Sequence, residues 1–288
     1  MRELAYKLLS LTSDRLFIKI KYYIRFNKIP NLDKPKTFNE KMQWLKLNNR
    51  KPEYTNMVDK YKARDYVADK IGEQYLIPLV GVWELPDDID FKSLPNQYVI
   101  KCNHNSGTGM YICKDNFKTD EEKIKSGLRQ GLKEDYFIYS REWPYKNVKK
   151  RIMCEEYISD DNNEFLTDYK FYCFDGKVKV LGIFQGRGSS SGTVGDFFDV
   201  DFNWIDMKWG YPNAPEIPKK PDKFNEMVKI AETLSKDIPH VRVDLYLSNG
   251  QIYFGELTFF DGGGFSKIIP EEWDIKLGSW INLPDKTH

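Results

Sequence analysis

Alternating hydrophobic and polar residues from Val241 to Thr258 predict a β-hairpin. A two-residue loop at Asn249-Gly250 would place Glu256 among apolar residues, on the opposite face from Asp244. One extra loop residue instead places Asp244 opposite Glu256 and leaves the other face apolar. Because the buried face sets the register, we predict the odd loop, with a bulge. The predicted pairs are Asp244 with Glu256, Tyr246 with Phe254 and Ser248 with Ile252, and the predicted apolar face holds Val243, Leu245, Leu247, Leu257, Gly255 and Tyr253.

The two carboxylates that this register brings together would repel each other. A bound divalent cation would reverse that cost, and Mg²⁺ is commonly held by one or two carboxylates together with substrate phosphates. Asp244 and Glu256 are therefore candidate magnesium ligands. An exposed hairpin with scattered acidic residues explains the same pattern, so the hairpin alone leaves both interpretations open.

The rest of the chain mixes helical and strand-like patterns. Thr37-Phe38-Asn39-Glu40 is a capping box that opens a helix through about Leu47, and residues 57–71 predict a helix that ends at Gly72. Because strands and helices do not alternate strictly, the sequence predicts an α+β fold with largely antiparallel sheets. Helical patterns cover residues 1–57, 119–142, 222–237 and the C-terminal tail, and strands are predicted at 79–83, 97–102, 110–113, 151–158, 167–174 and 177–185.

Composition excludes several classes of protein. The 44 basic and 43 acidic residues nearly balance, which argues against a general nucleic-acid binder. Four cysteines without a C-x-x-C pattern indicate core residues in a reducing compartment. Without a long apolar run or a signal peptide, the sequence predicts a cytoplasmic protein. The first 25 residues predict a basic amphipathic helix, which we expect to pack on the protein surface in preference to docking on a membrane surface.

A polar, glycine-rich loop joins two predicted strands at residues 103–109. Gly107 and Gly109 permit positive φ angles, and small side chains let backbone N–H groups approach an anion. Lys101, just before the loop, could place its ammonium on a phosphate, and His104 could donate to one. A plain glycine hairpin explains this segment as well, because a strand follows where a P-loop would have Gly-Lys-Ser/Thr and a helix.

A second hairpin turns at Asp175-Gly176, a strong type I′ signal. With a two-residue loop, one face is apolar and the other carries cations, which suits an anionic ligand, although a solvated surface would show the same pattern. No nucleophile elbow or Cys/His pair indicates covalent catalysis. The predicted apolar face holds Phe171, Cys173, Val178, Val180, Gly182 and Phe184, and the predicted polar face holds Asp168, Lys170, Tyr172, Lys179, Gln185 and Arg187.

Taken in order, these segments resemble the ATP-grasp superfamily, and more closely its TupA-like group, which is named for teichuronopeptide biosynthesis. The resemblance covers about residues 28–277. It departs from the general pattern at Thr258, where an asparagine is usual, and in the helices that replace an N-terminal α/β domain. The phrases that carry the resemblance are Thr37-Phe38-Asn39-Glu40-Lys41-Met42-Gln43-Trp44-Leu45, Asp59-Lys60, Lys101-Cys102-Asn103-His104, Glu155-Glu156-Tyr157-Ile158, Asp168-Tyr169-Lys170-Phe171-Tyr172, Asp244, and Gly255-Glu256-Leu257-Thr258-Phe259.

The resemblance implies two α+β subdomains that sandwich a nucleotide, preceded by a helical segment. We predict boundaries of 1–57 for the helical segment, 58–155 for the small subdomain and 156–288 for the large one. The implied ligands are ATP and Mg²⁺. The implied site residues are Lys60, Lys101, His104, Ser106, Gly107, Thr108, Gly109, Glu155, Glu156, Tyr157, Ile158 and Asp168 for ATP, Lys170 and Arg187 for catalysis, and Asp244, Glu256 and Thr258 for the metal.

The implied reaction is carboxylate–amine ligation through an acyl phosphate. The family context suggests a uronic acid carboxylate of a cell-surface polysaccharide (a capsule, for example) and an amino acid as partners, with the Gly186–Gly195 loop and Gly262-Gly263-Gly264 contacting the acceptor. Two other hypotheses stay open at this stage. One is a glycosyltransferase or sugar kinase of the same pathway, and the other is a non-catalytic nucleotide-binding module.

Overall fold

The computed structural model describes residues 9, 11–160, 166–187, 189–190 and 192–286. Most of the predicted N-terminal stretch 1–10 lies outside the described residues, as do Gly188 and Ser191 of the predicted acceptor loop. The described helices are α1 (Asp14–Phe26), α2 (Phe38–Asn48), α3 (Glu53–Val58), α4 (Ala63–Ile71), α5 (Glu121–Lys133), α6 (Phe137–Ser140), α7 (Phe224–Leu234) and α8 (Glu271–Ser279).

The N-terminal helices begin where the sequence supplies caps. The Ser13 side chain accepts a hydrogen bond from the first turn of α1, and Thr37 with Glu40 forms the predicted capping box of α2. The single helix predicted over residues 57–71 is wrong, because the helix breaks at Asp59. The carboxylate of Asp59 accepts from the backbone of Tyr61 and Lys62, which starts a new helical turn there.

Four strands form a small antiparallel sheet in the order β1-β4-β2-β3. Tyr98 and Ile100 on its inner face pack against α5, whose Ile124 and Leu128 are buried. The opposite face carries Lys101 and Glu155, because side chains alternate along β2 and β4. The strands are β1 (Leu79–Trp83), β2 (Tyr98–Cys102), β3 (Met110–Cys113) and β4 (Ile152–Glu156).

Six strands form a large sheet in the order β11-β10-β5-β6-β7-β8. All pairs between described strands in both sheets are antiparallel, so the predicted α+β fold with antiparallel sheets is confirmed. The strands are β5 (Asp168–Phe174), β6 (Lys177–Gln185), β7 (Val194–Phe198), β8 (Trp204–Ile205), β10 (His240–Ser248) and β11 (Gln251–Thr258), and β9 (Lys208–Trp209) pairs with β12 (Ile268–Ile269).

The main hydrophobic core lies on both sides of the large sheet. Helix α7 covers one side, where the Cys173 thiol contacts the Ala231 carbonyl. Helix α2 reaches the other side, where Phe38 packs edge-on against Phe174 and Trp209. All four cysteines are free and buried, in agreement with the prediction of small core residues. None of the helices in the described ranges is long and apolar enough to cross a membrane.

Candidate active site

The hairpin of β10 and β11 places Asp244 directly opposite Glu256, as predicted. The predicted odd loop is wrong. The turn is the two-residue Asn249-Gly250 loop, with φ angles of 48° and 78°. The extra residue is instead Gly255, which forms a bulge within β11. Beyond the bulge the pairs are Leu245 with Phe254, Tyr246 with Tyr253 and Leu247 with Ile252, in place of the predicted pairs of Tyr246 with Phe254 and Ser248 with Ile252.

A second bulge corrects the predicted faces of the β5–β6 hairpin. Asp175 and Gly176 form the predicted two-residue turn, with φ angles of 47° and 73°. The register then shifts at Lys179, so the rest of β6 presents the opposite alternation of side chains. Residues predicted for the apolar face therefore lie beside the charged ones. Val180 lies opposite Tyr172, Gly182 opposite Lys170 and Phe184 opposite Asp168.

Strand pairing collects polar side chains on one face of the large sheet. Asp244 is paired with Glu256 on one side and with Lys170 on the other. Because paired residues project from the same side of a sheet, their neighbours at every second position join them. We call this surface the charged face, and it holds Asp168, Lys170, Tyr172, Arg242, Asp244, Tyr246, Glu256 and Thr258.

Arg242 is the centre of the charged face. Its guanidinium donates two hydrogen bonds to the Asp244 carboxylate, at 2.6 and 2.7 Å. It also lies 3.2 Å from a Glu256 oxygen and 2.9 Å from an Asp261 oxygen. A planar guanidinium presents several donors in fixed directions, which suits it to join three carboxylates. The repulsion predicted between Asp244 and Glu256 is therefore offset by an arginine of the chain itself, a residue that the sequence reasoning missed.

The two predicted catalytic cations occupy different positions around Asp168. The ammonium of Lys170 is buried and lies 2.5 Å from an Asp244 oxygen and 3.9 Å from an Asp168 oxygen. The guanidinium of Arg187 lies 3.5 Å from Asp168 but is largely exposed. Lys170 is thus held in place by the sheet, whereas Arg187 is at the solvent edge of the same cluster.

Lys60 connects the charged face to the loop of the small sheet. Its ammonium donates to the Asn105 carbonyl at 2.8 Å and lies 3.5 Å from a Glu256 oxygen. Its backbone N–H donates to the Asn103 carbonyl. The Asn103 amide in turn donates to Asp59 at 2.8 Å. Asp59 and Asn103, both buried, therefore fix the predicted nucleotide-binding lysine between the two sheets.

Glu256 is the most accessible acid among the paired carboxylates. Its side chain is 35% exposed, whereas that of Asp244 is 4% exposed. Burial raises the pKa of a carboxyl group, but surrounding cations outweigh that effect and lower the pKa of Glu256 to about 2. Glu256 is therefore ionised at neutral pH. The cations responsible are Lys60, Arg242, Lys170 and Arg187.

Magnesium fits this donor set through Glu256. One Glu256 oxygen accepts from the Thr258 hydroxyl at 3.2 Å, so these two oxygen donors lie together. The oxygens of Asp244 are instead engaged by Arg242 and Lys170. One carboxylate with phosphate oxygens is an ordinary Mg²⁺ environment. Among the described residues, no group of three or more His, Cys, Asp or Glu side chains could hold a metal ion. A metal ion at Glu256 would therefore also need oxygen ligands from a bound phosphate.

On the small sheet, the side chains of Lys101 and Glu155 form an ion pair. Their charged atoms are 2.5 Å apart, and Arg64 lies 2.9 Å from the other Glu155 oxygen. Both cations are largely buried, with side-chain exposures of 17% and 14%. Two of the predicted ATP contacts, Lys101 and Glu155, therefore neutralise each other in this arrangement, and a nucleotide phosphate would compete with Glu155 for the ammonium.

The glycine-rich loop has a buried start and an exposed tip. His104 and Asn105 are buried, and a His104 ring nitrogen lies 3.2 Å from the Glu134 carbonyl. Burial lowers the pKa of His104 to about 4, so the imidazole is neutral at physiological pH. Its Nδ1 is buried without a hydrogen-bond partner among the described residues. His104 thus supports the loop, and its predicted contact with ATP remains a prediction.

Asn105, Gly107 and Gly109 determine the conformation of the tip of the glycine-rich loop. The Asn105 amide donates to the Thr108 carbonyl and to the Glu134 carboxylate. Gly109, at a φ of 71°, lies against the α5 backbone, where an added Cβ would come 3.2 Å from the Gly127 carbonyl oxygen. Gly107, at a φ of 91°, faces open space. Ser106, Gly107 and Thr108 therefore form the accessible part of the loop, where an anion could reach the backbone.

The predicted adenine-binding segment covers the end of β4 and the two residues that follow it. The Glu156 backbone N–H donates to the Pro78 carbonyl, and its side chain is exposed. Tyr157 is half-buried beneath the ammonium of Lys114, and Ile158 is half-buried as well. Glu155 differs from these three because its side chain is buried in the Lys101 ion pair.

A buried network behind the Gly262–Gly264 turn is a second feature that sequence reasoning missed. The fully buried Lys46 donates to Gln43, to the Ser140 carbonyl and to the Gly263 carbonyl. Burial lowers the pKa of Lys46 and raises that of the neighbouring Glu142. The available signal was the spacing of Gln43 and Lys46, which places two polar residues on the same face of α2 as the apolar Met42.

The sequence pattern of the TupA-like ATPgrasp family matches residues 40–282. The chain belongs to this family. The match spans both sheets, the glycine-rich loop and the charged face, so the predicted resemblance is confirmed. No curated protein matches the sequence significantly.

Solved ligase structures resemble this TupA-like ATP-grasp chain distantly. The D-alanine–D-alanine ligase of Bacillus anthracis is 18% identical, with 70% of this chain and 57% of that chain covered and a TM-score of 0.44. The Helicobacter pylori ligase of the same name is 14% identical, covering 85% and 69%, with a TM-score of 0.44. The ATP-grasp ligase PsnB in complex with a minimal precursor is 9% identical, covering 72% and 53%, with a TM-score of 0.39. The chain thus spans little more than half of the first of these proteins.

Proposed function

We propose that this protein is an ATP-dependent carboxylate–amine ligase. The observation that carries the proposal is the convergence of Lys60, Lys170, Arg187 and Arg242 around the ionised Glu256, next to the loop that Lys60 connects to the charged face. Such a cluster can bind a triphosphate and neutralise charge as a phosphoryl group moves. Membership of an ATP-grasp family supports ATP as the nucleotide.

In the proposed reaction, a carboxylate oxygen of the acceptor attacks the γ-phosphorus of ATP, and ADP leaves. An amine then attacks the carbonyl carbon of the acyl phosphate, phosphate leaves, and the amine loses a proton to give the amide. Mg²⁺, bound through Glu256 and Thr258, would offset charge on the phosphate oxygens. Lys101 and Lys60 hold the phosphates, while Arg242 and Lys170 orient the acidic side chains and face the group in transfer.

The accessible tip of the glycine-rich loop would close over the phosphates and exclude water, which protects the acyl phosphate from hydrolysis. The half-buried Tyr157 and Ile158 would border the adenine. We place the reaction in the cytoplasm, where ATP is available. The acceptor that we propose is a uronic acid of a cell-surface glycan, and the amine that we propose is an amino acid. The family to which the chain belongs supports ATP-dependent ligation, and this choice of acceptor and amine is our proposal.

The proposal is tested by measuring phosphate release from ATP and Mg²⁺ with panels of uronic acids and amino acids. We expect release to require both a carboxylate and an amine, and we expect mass spectrometry to detect a conjugate lighter than the sum of its parts by one water. Binding of a nucleotide sugar without phosphate release from ATP would instead support the glycosyltransferase hypothesis. Phosphorylation of the sugar without an amide product would support the sugar kinase.

A further inference from the structure

Helix α1 has an apolar face that the described part of the chain leaves uncovered. Its inner face packs through the buried Phe17, Ile18 and Tyr22. On the other side, Leu16, Tyr23 and Ile24 are 47%, 53% and 75% exposed. With 100° between successive helical residues, Ile20 falls between them. We call Leu16, Ile20, Tyr23 and Ile24 the outer face of α1.

Exposed apolar residues continue at both ends of the helix. Leu11, before it, is 84% exposed, and Ile29, after it, is 73% exposed. Single exposed apolar residues are ordinary in proteins. Here, however, five of the sixteen exposed large hydrophobic residues in the described ranges fall within residues 11–29. Such a cluster indicates a contact surface.

The charge around this cluster is strongly positive. Residues 11–36 contain seven lysine and arginine residues against two aspartates, although the whole chain is nearly balanced. Arg15 and Lys19 lie along one edge of the outer face, and Lys28 follows the helix. Apolar residues bordered by lysine and arginine are typical of helices that lie in the plane of an anionic membrane. The positive border therefore favours an anionic bilayer over an apolar protein surface as the occupant.

The inner face of α1 contacts the chain next to the charged face. Arg25 donates to the Phe265 carbonyl at 2.9 Å, and the Tyr22 ring packs edge-on against the Phe265 ring. Phe265 directly follows the Gly262–Gly264 turn, and Asp261, just before that turn, pairs with Arg242. A surface bound to α1 would therefore lie close to the end of the site where we place the acceptor.

We propose that the outer face of α1 docks on an anionic phospholipid bilayer and thereby brings the site to an acceptor carried at the membrane surface. The part of this inference that concerns the acceptor rests on the proposed function. Docking itself depends only on the outer face and its positive border, so it can be measured without ATP or an acceptor.

The test is co-sedimentation of the full-length protein with vesicles of phosphatidylglycerol and phosphatidylcholine in equal amounts, and with phosphatidylcholine alone. We expect binding to the anionic vesicles, weaker binding to the neutral ones, and a loss of binding as salt rises. Ile24→Ser should weaken partition by about tenfold, because one isoleucine no longer enters the lipid. Phe117→Ser is the matched control, since Phe117 is 95% exposed on the small-sheet side of the chain.

The docking proposal fails if the wild-type protein does not bind anionic vesicles, or if Ile24→Ser binds as well as the wild type. It also fails if sedimentation shows a dimer that Ile24→Ser dissociates, because a second copy would then cover the outer face. Circular dichroism checks that each variant is folded. Vesicle binding without any ATP turnover would contradict the ligase proposal alone, and turnover with soluble substrates but without vesicle binding would contradict docking alone.

Discussion

Arg242 binds Asp244 through two hydrogen bonds and, with the same guanidinium, contacts Glu256 on the next strand. A metal ion was one of two explanations for this pair of acids, and the chain also places a cation of its own beside both of them. The arginine therefore stabilises the strand pairing, and the accessible Glu256 remains available to a ligand.

Replacing Arg242 with leucine should destabilise the fold and abolish ATP turnover. Asp261 would lose its arginine partner and Asp244 would keep only Lys170, and losing one partner of a buried ion pair costs about 3–5 kcal/mol. Urea denaturation gives the change in the free energy of unfolding. Arg15→Leu is the control, because the exposed pair of Arg15 with Asp33 is expected to contribute at most about 1 kcal/mol. Equal stability of the two variants would contradict the central role of Arg242.

Glu256→Gln should reduce the rate of phosphate release by on the order of 10²–10³-fold while the protein stays folded. Glutamine preserves the size of the side chain but removes the charge that would hold Mg²⁺ next to the phosphates. Phosphate release under saturating ATP measures the effect, with Glu122→Gln on the exposed side of α5 as the control. Unchanged release would remove Glu256 from the metal site.

The lowered pKa of Glu256 also predicts how stability depends on pH. The group titrates at about 2 when folded, against an ordinary value of 4.5. A depressed carboxyl pKa contributes stability that is fully present above about 4.5 and is lost as the pH falls toward 2. The difference in unfolding free energy between wild type and Glu256→Gln should therefore be constant above pH 5 and shrink below it. A difference that does not change between pH 5 and pH 3 would contradict the lowered pKa.

Lys101→Met should weaken nucleotide binding by about tenfold or more, since a charge-assisted hydrogen bond to a phosphate is lost. Methionine keeps the apolar stem, so the small sheet should retain its packing. Isothermal titration with ADP and Mg²⁺ measures the affinity. Lys118→Met, at a lysine that is 85% exposed, is the control. An affinity that matches the wild type would exclude Lys101 from the site.

The buried His104 predicts a second dependence on pH. Its pKa of about 4 when folded lies below the ordinary 6.5, so between these values the unfolded chain binds a proton that the folded chain does not. Stability should therefore fall as the pH is lowered from 6.5 to 4. His104→Asn should make this fall smaller, while the similarly shifted His240 continues to contribute. Denaturation curves of both proteins across this range provide the measurement, and parallel curves would refute the assignment.

Much of the fold followed from local patterns in the sequence. The strand limits at Leu79–Trp83, Met110–Cys113 and Lys177–Gln185 were predicted without error, because alternation and turn residues mark them clearly. The helix break at Asp59 was missed, because it depends on Asn103, which lies 44 residues further along the chain. Local periodicity cannot report such a contact.

The candidate site was predicted in part. The pairing of Asp244 with Glu256 was found by asking which face is buried, and that criterion was correct. The criterion could not locate the bulge, because an extra residue at the loop and one within the strand give the same pairing at Asp244. Arg242 was missed because an arginine in an apolar strand was taken as part of the polar alternation. The available signal was the position of Arg242, two residues before a candidate metal ligand in the same strand.

The bulge at Gly255 lets β11 carry one residue more than the facing part of β10 without turning the carboxylate away from the site. Phe254 pairs with Leu245 and Glu256 pairs with Asp244, so removing Gly255 alone would leave both pairs in an unbroken ladder and Glu256 on the charged face. A relative that lacks this residue is therefore expected to have kept both the scaffold and the position of its carboxylate.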